Sequence, residues 1–288
     1  MNEYRIRYSF IIPHKNNLAL LERCIESIPL RDDVEVIVID DNSIDSQKPY
    51  VLRDNVKIIY IDKVESKGAG RARNIGLKNA IGEWVLFPDS DDYYLDGFMD
   101  ILDATITNNI DVVYFNCIHC DGETGNILPK LSFNKDFEDY NGSYSTVDAI
   151  KYHHNAPWTK MIRHEYIKRY RTCFEEVVNG NDIFFSMRVG FLTNNIEVVK
   201  KPLYAYVRYC NSLTKKKLLP MEALCVMQHT IQMNYFFKQI GYREWCLPFI
   251  KTALSCVKSS GFAFFILLMR KLLSIYRRRC DLFLFVQK

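Results

Sequence analysis

Long apolar runs are missing from this 288-residue chain. The longest, Phe262–Met269, falls well short of the roughly 18 residues a membrane-spanning helix needs. A regular cysteine framework is missing too: nine cysteines are scattered without even pairing, which excludes a small disulfide-stapled scaffold. Cys117-Ile-His-Cys120 has CxxC spacing, but no second pair follows it, so buried thiols are expected there rather than a zinc centre. No charged-then-apolar leader precedes the first apolar run at Tyr8–Ile12, and a reduced cytosolic compartment is expected. Repeats and low-complexity tracts are absent. A hydrophobic content of 48% with 14% aromatics excludes a disordered or fibrous chain and supports a sizeable core. Neither sign of charge is in large excess, at 38 basic and 34 acidic side chains, yet the two are unevenly spread. Residues 201–288 carry 15 Lys/Arg against 3 Asp/Glu, whereas residues 1–200 carry 23 against 31. An acidic body suits a cation, and a basic tail suits an anionic surface.

The periodicities alternate between strand and helix. Tyr8–Ile12 reads as a strand buried on both faces, Leu18, Leu21, Cys24, Ile25 and Ile28 as one stripe of a helix closed by Pro29, and Val34–Ile39 as the next strand. Strand, helix and strand in about forty residues make a βαβ unit, which predicts a parallel sheet with a right-handed crossover. A third strand at Val56–Ile61 leads through Lys67-Gly-Ala-Gly70 into a helix from about Arg71 to Ala80, and a fourth strand spans Trp84–Phe87. The first hundred residues are therefore expected to form a Rossmann-like nucleotide-binding half. Val112–Cys117 reads as a further strand, residues 121–145 as loop, Ala156–Tyr170 as a strand or turn and a helix, Asp182–Val189 as a helix, and Ile196–Tyr206 as a returning strand. Beyond Leu218 the pattern is helical.

Acidic groups follow two of these strands directly, Asp40-Asp41 and Asp89-Ser-Asp91-Asp92, and a third acid, Asp182, starts a helix. The carboxyl ends of parallel strands share one sheet edge, so the first two groups are expected to meet there. Mg²⁺ or Mn²⁺ gives that negative charge a purpose, because either takes carboxylate oxygens and keeps other positions for a diphosphate and water.

Ile11-Ile-Pro13, Val38-Ile-Asp-Asp-Asn-Ser43, Ala72-Arg-Asn-Ile-Gly76, Gly82-Glu-Trp-Val-Leu-Phe87 and Asp89-Ser-Asp-Asp92 resemble, in order and spacing, the family 2 glycosyltransferases of GT-A fold. The likeness covers roughly residues 6–215. It implies an α/β GT-A domain over 1–215, with a mostly parallel Rossmann-like sheet flanked by helices, and a helical basic extension over 216–288. Residues 1–115 would be the nucleotide-sugar half and 116–215 the acceptor half. By the same resemblance Pro13 and Asp41 would contact the base of a UDP-sugar or another nucleoside diphosphate sugar. Arg71 and Arg73 would lie near base and phosphates, Asp89 would face ribose or sugar, and Asp91 would hold the divalent cation. Asp92 is the family's usual extra acid.

Further on, Pro157-Trp-Thr-Lys160 resembles a W-x-K-L segment, and Phe174-Glu-Glu…Gly180-Asn-Asp182…Arg188 resembles an F-x-E…G-E-D-x-x-F…R segment whose aspartate is taken as the catalytic base, here Asp182. Asn181 departs from the usual glutamate and removes a neighbouring carboxylate. Leu203-Tyr-Ala-Tyr-Val-Arg208 with Asn211-Ser-Leu-Thr214 resembles a strand and loop closing over the diphosphate, where Arg208, Ser212 or Lys215–Lys217 would clamp phosphate. His14 sits where it could touch the base, although a lone histidine at a strand end is more often a local hydrogen-bonding residue, and His153-His154, near Trp158, could line the acceptor side. The reading that follows is an inverting, metal-dependent hexosyl- or N-acetylhexosaminyltransferase acting on a glycan or lipid-linked acceptor in polysaccharide assembly. It would be cytoplasmic and peripheral at the inner face of the cell membrane, its tail from Gly261 either lying on anionic lipid, the favoured reading, or packing on the domain as an apolar helix, and not binding nucleic acid. Two alternatives stand beside it: a sugar nucleotidyltransferase, which calls for a Gly-rich phosphate loop where this chain has Pro13-His-Lys-Asn-Asn17, and a non-catalytic nucleotide-sugar-binding protein on the same scaffold.

Overall fold

The computed structural model describes residues 6–50, 53–107, 109–177, 179–209 and 217–260, with 264 and 266. They form two compact units, Met1–Glu176 with Asn181–Cys210, and Val177–Gly180 with Asn211–Lys288.

The first unit is built on one eight-stranded sheet. Its strands are β1 (Tyr8–His14), β2 (Val34–Asp40), β3 (Val56–Tyr60), β4 (Trp84–Leu86), β5 (Tyr93–Tyr94), β6 (Val112–Asp121), β7 (Lys160–Arg163) and β8 (Ile196–Arg208), in the order β3-β2-β1-β4-β7-β6-β8-β5. The pairs β1–β2, β2–β3, β1–β4 and β6–β8 are parallel, whereas β7 lies antiparallel between β4 and β6, and β5 antiparallel to β8. Because β7 opposes both neighbours, β6 and β8 run the same way as β1, β2 and β4, and their carboxyl ends share one edge.

Every residue of β1 is buried, as its apolar run predicts. Strand alternation sends Tyr8, Phe10 and Ile12 to one face, against Leu21, Cys24 and Ile25 of α1 (Leu18–Glu26) and Phe98, Met99 and Leu102 of α3 (Phe98–Thr105). Ile11 goes to the other face, with Ala72 of α2 (Ala69–Asn79) and Phe185 and Val189 of α7 (Ile183–Phe191). Gly76 lets α2 lie close to the sheet, since a Cβ there would stand 2.2 Å from Ile11 Cγ2.

The segment expected to be loop over 121–145 is partly ordered. β6 runs on to Asp121, α4 spans Asn134–Asp139, and α5 (Tyr144–Tyr152) begins inside it, with α6 (His164–Arg169) following β7. Phe137 supplies the reason, because it is wholly buried in the α7-side core. The β6–β8 register slips where Phe115 faces Val199 but Asn116 faces Pro202. Proline has no N–H to give the ladder. The Asn116 side chain fills the gap by donating to Lys200 O (3.2 Å) and accepting from Cys117 N–H (2.9 Å).

In the second unit α8 (Pro220–Gln239) starts at a proline, and Glu222 accepts the Leu219 N–H at 2.7 Å. Ala223, Leu224 and Met227 pack with Cys256 of the helical residues 249–260 and with Phe264. Outside that small core Leu247, Phe249, Ile250 and Leu254 are exposed. No helix among the described residues is long and apolar enough to cross a membrane.

Candidate active site

The turn between β4 and β5 brings three acids together. Asp89, Asp91 and Asp92 each present a carboxylate oxygen, all within 4.8 Å of one another, and they are the group among the described residues spaced to hold a cation. Asp92 is fully engaged by the fold: it accepts from Tyr204 Oη (2.9 Å) and from Val207 N–H (2.7 Å). Tyr204 Oη in turn accepts the Asp89 N–H at 3.0 Å, so β8 grips the turn at both ends. Burial, then Asp91 and Asp89, push the Asp92 carboxyl well up, against those two hydrogen bonds. Asp91 is pushed up to about 6, chiefly by burial and then by Asp89, with Arg23 opposing. A cation placed here would relieve like-charge crowding that the protein alone does not neutralise. The donor set fits Mn²⁺ or Mg²⁺ held by one or two carboxylates with the rest of its shell left to phosphate and water.

Arg73 joins this turn to the start of α7. Its guanidinium is buried, donates to Asp89 Oδ1 (2.5 Å) and to Asn181 Oδ1 (2.8 Å), and lies 5.3 Å from the centre of the Phe174 ring. The Asn181 departure thus keeps an acceptor for Arg73 without adding a charge. Asp182 caps α7, and its carboxyl is raised above the usual range by burial first; Arg73 and Lys160 pull it down and Asp89 pushes it up. Lys160 is wholly buried, donates to His154 O (2.8 Å) and Ala156 O (2.5 Å), and burial lowers it to about 7 against the pull of Asp182. Gly70 permits this assembly, because a Cβ on it would stand 2.1 Å from Glu175 O and 2.9 Å from Asn181 Cβ.

At the end of β2, Asp40 is tied to Ser43, accepting from its hydroxyl and from its N–H (3.2 Å). Asp41 is buried, and its Oδ2 accepts the Gly68 N–H (3.2 Å) and lies 3.6 Å from Lys15 Nζ, while its Oδ1 has no partner. A buried carboxylate oxygen without a donor is costly unless a ligand supplies one. Pro13 stands beside it, in register with Ile39. His14 is buried, with Nε2 3.2 Å from Gln47 O and Nδ1 unpartnered, and burial lowers its proton affinity. Arg71 turns outward to Glu176 (3.2 Å) and Glu65 (3.6 Å).

The structure thus brings Asp89, Asp91, Arg73 and Asp182 into one charged network, gives Asp41 and Pro13 a neighbouring corner, and leaves Arg71 at the rim in ion pairs. Trp158 and His154 are core residues. The indole stacks on Tyr204 (5.1 Å) and Tyr206 (5.4 Å), and the imidazole stacks on Phe133 (4.0 Å) and bonds Thr159. Cys117 and Cys120, three apart on β6, point to opposite faces and cannot share a metal. Ser212, Lys215 and Lys216 lie outside the described residues, as does most of the tail from Gly261. Sequence reasoning missed Arg23 and Tyr204 as supports of the acidic turn. The pairing of Tyr204 with an acid over a hundred residues away leaves no local signal.

Comparison with known proteins supplies the context. A family model described as Glycosyl transferase family 2 matches residues 9–171, more than half of the chain. The putative glycosyltransferase EpsH of Bacillus subtilis is 26% identical over 228 residues, 72% of this chain and 62% of EpsH. The poly(ribitol-phosphate) beta-N-acetylglucosaminyltransferase TarS of Staphylococcus aureus is 28% identical over 210 residues, 70% of this chain and 35% of TarS. The chain therefore spans less than two thirds of the length of either relative. Among solved structures, S. aureus TarS in complex with UDP-GlcNAc matches with a TM-score of 0.63 at 20% identity, over 92% of this chain and 85% of that one. The mannosyltransferase of Pyrobaculum calidifontis with GDP-Man and Mn²⁺ matches at 0.55 and 17%, over 95% and 81%. These likenesses bear out the expected GT-A fold.

Proposed function

This chain belongs to glycosyl transferase family 2, and from that premise we propose that it is an inverting transferase, moving one sugar from a nucleoside diphosphate sugar, a UDP-sugar, onto an acceptor hydroxyl of a glycan or lipid-linked oligosaccharide. The observation that carries this reading is the buried Arg73 bridge between Asp89 and Asn181, which holds the acidic turn and the Asp182 end of α7 as one unit. Donor and acceptor chemistry need such a fixed relation, because misplacement by about 1 Å can cost a hundredfold in rate.

In this mechanism the Asp41 oxygen without a partner accepts an N–H of the base, beside Pro13. Asp91 would hold Mn²⁺ or Mg²⁺, and the cation, when bound, would offset the charge developing on the leaving diphosphate. Arg73, already bonded to Asp89, keeps that carboxylate fixed toward the sugar. Asp182 takes the proton of the acceptor hydroxyl as it attacks opposite the leaving group, so the anomeric centre inverts. Its raised proton affinity brings it closer to working pH, where a general base contributes about 10²–10⁴-fold. Arg71 would exchange its ion pairs with Glu176 and Glu65 to reach phosphate. The nucleotidyltransferase alternative draws no support from the turn after β1, where Asn16 and Asn17 take positive φ without any glycine.

The same proposal includes peripheral attachment to the anionic inner face of the cell membrane through residues 261–288. Its support is the basic charge of residues 201–288, together with exposed Phe249, Ile250 and Leu254 near Lys251 and Lys258 just ahead of that segment. Vesicle sedimentation should give salt-sensitive binding of the full chain to anionic lipid and loss of it on deleting 261–288; a full chain indifferent to such vesicles at low salt removes the membrane part alone.

A panel of nucleotide sugars with Mn²⁺ tests the whole. The true donor should raise the melting temperature, since ligand at 100 times its Kd adds about 2.7 kcal/mol of stability, and the transferred sugar should carry inverted anomeric configuration by NMR. Retained configuration sinks the inverting mechanism.

A further inference from the structure

Arg23 and Cys24 of α1, with Ser27 just past its end, hold the acidic turn and β5. Cys24 Sγ donates to Asp89 O (3.5 Å), and Ser27 Oγ accepts the Tyr94 N–H (3.0 Å). Arg23, between them in reach, donates through Nη2 to Asp91 O (2.5 Å) and through Nη1 to Tyr209 Oη (3.0 Å), while its guanidinium carbon lies 5.0 Å from the centre of the Tyr93 ring. Tyr209 is itself seated: its ring occupies the space that a side chain on Gly122 would need, 2.3 Å from an added Cβ.

A guanidinium beside a cation site is a Coulombic cost. Its presence calls for a return, and geometry supplies one. Asp92 is anchored to β8, whereas among the described residues Asp91 shows no such strand hydrogen bond and its backbone carbonyl accepts from Arg23. We propose that Arg23 is a positioning residue of the cation site, clamping Asp91 and coupling it to Tyr209 where the chain leaves β8. The inference rests on the reading that Asp91 holds the metal.

The two effects of Arg23 have opposite signs, which makes the test decisive. Removing the charge alone would tighten cation binding; removing the clamp would weaken it, by the ten- to hundredfold typical of groups that orient metal ligands. Free Mn²⁺ is followed by electron paramagnetic resonance while the full chain is titrated with Mn²⁺ in the presence of saturating UDP. Arg23→Met is expected to weaken Mn²⁺ uptake by about tenfold or more, and Arg23→Lys, which keeps the charge but cannot span both Asp91 O and Tyr209, to recover only part of the loss. Uptake by Arg23→Met equal to or tighter than wild type overturns the proposal, whatever its melting temperature. Should Arg23→Met not fold, Arg23→Lys decides: weaker uptake supports the clamp, and wild-type uptake overturns it. If the wild-type chain takes up no Mn²⁺ with UDP present, the metal reading falls and this inference with it.

Discussion

After β2 the chain turns through Asp40-Asp41, and after β4 through Asp89-Ser-Asp91-Asp92. In each turn one acid is consumed by the fold: Asp40 by Ser43, and Asp92 by Tyr204 and Val207. The difference lies in the remaining acids. Asp41 stands beside Lys15 with one bare oxygen, a site suited to an N–H donor. Asp91 stands beside other carboxylates, and burial and repulsion push Asp91 itself toward protonation, a site suited to a cation. Two turns that both carry adjacent acids thus acquire different surroundings from their neighbours, a lysine in one case and further carboxylates in the other.

The contrast is sharpest for Asp91→Ala. Turnover should fall to background and added Mn²⁺ should no longer stimulate it; a variant with wild-type rate and metal response erases the distinction between the turns. Asp182→Asn comes next and asks whether the carboxylate proposed as the base stands apart from both. A loss of about 10²–10⁴-fold in transfer with donor affinity unchanged is expected. A base acts only when deprotonated, so wild-type activity should be lost as pH falls through the raised Asp182 pKa, and that acid limb should vanish in the variant. Equal losses of rate and donor affinity would make Asp182 a binding residue. Asp41→Ala should leave Mn²⁺ stimulation intact and weaken UDP binding by about ten- to a hundredfold, the scale of about 1.5–3 kcal/mol for a hydrogen bond to a charged group. Calorimetry with UDP decides, and an unchanged Kd removes the base contact. The smallest functional effect is expected for Asp40→Ala: about 1–3 kcal/mol of stability lost as Ser43 loses its acceptor, with UDP affinity and turnover of the folded fraction preserved. If Asp40→Ala weakens UDP as much as Asp41→Ala, the division of labour within the β2 turn is wrong.

Much of this frame was legible in the residues. The apolar stretches at Tyr8–Ile12, Val34–Ile39 and Trp84–Phe87 read as interior strands, and the acids that follow the second and third had to fall on one edge of a parallel sheet. Arg73 was legible as a site residue but not as a bridge, because its partners Asp89 and Asn181 come from loops that only tertiary packing brings together. The two-residue β5 and the helices α3, α4 and α5 escaped notice for a related reason. Each is short, and each is held by distant contacts such as Tyr94–Tyr204 (5.1 Å) or the burial of Phe137 rather than by a strong local period. Arg23 gave no signal at all, since a basic residue on a helix surface is ordinarily solvated.

The insertion of β7 between β4 and β6 sets the order in which this site can be born. During synthesis β1 to β4 emerge first, yet the free side of β4 finds its partner only when Lys160–Arg163 arrive, and Asp92 finds its hydrogen-bond donors only at Tyr204 and Val207. Until then the nascent chain presents an unpaired strand edge, the kind of surface that recruits chaperones or seeds aggregation. A fragment ending near residue 115 is for that reason half a sheet rather than half an enzyme, and cation uptake by a growing chain would report the moment at which its last strand closes.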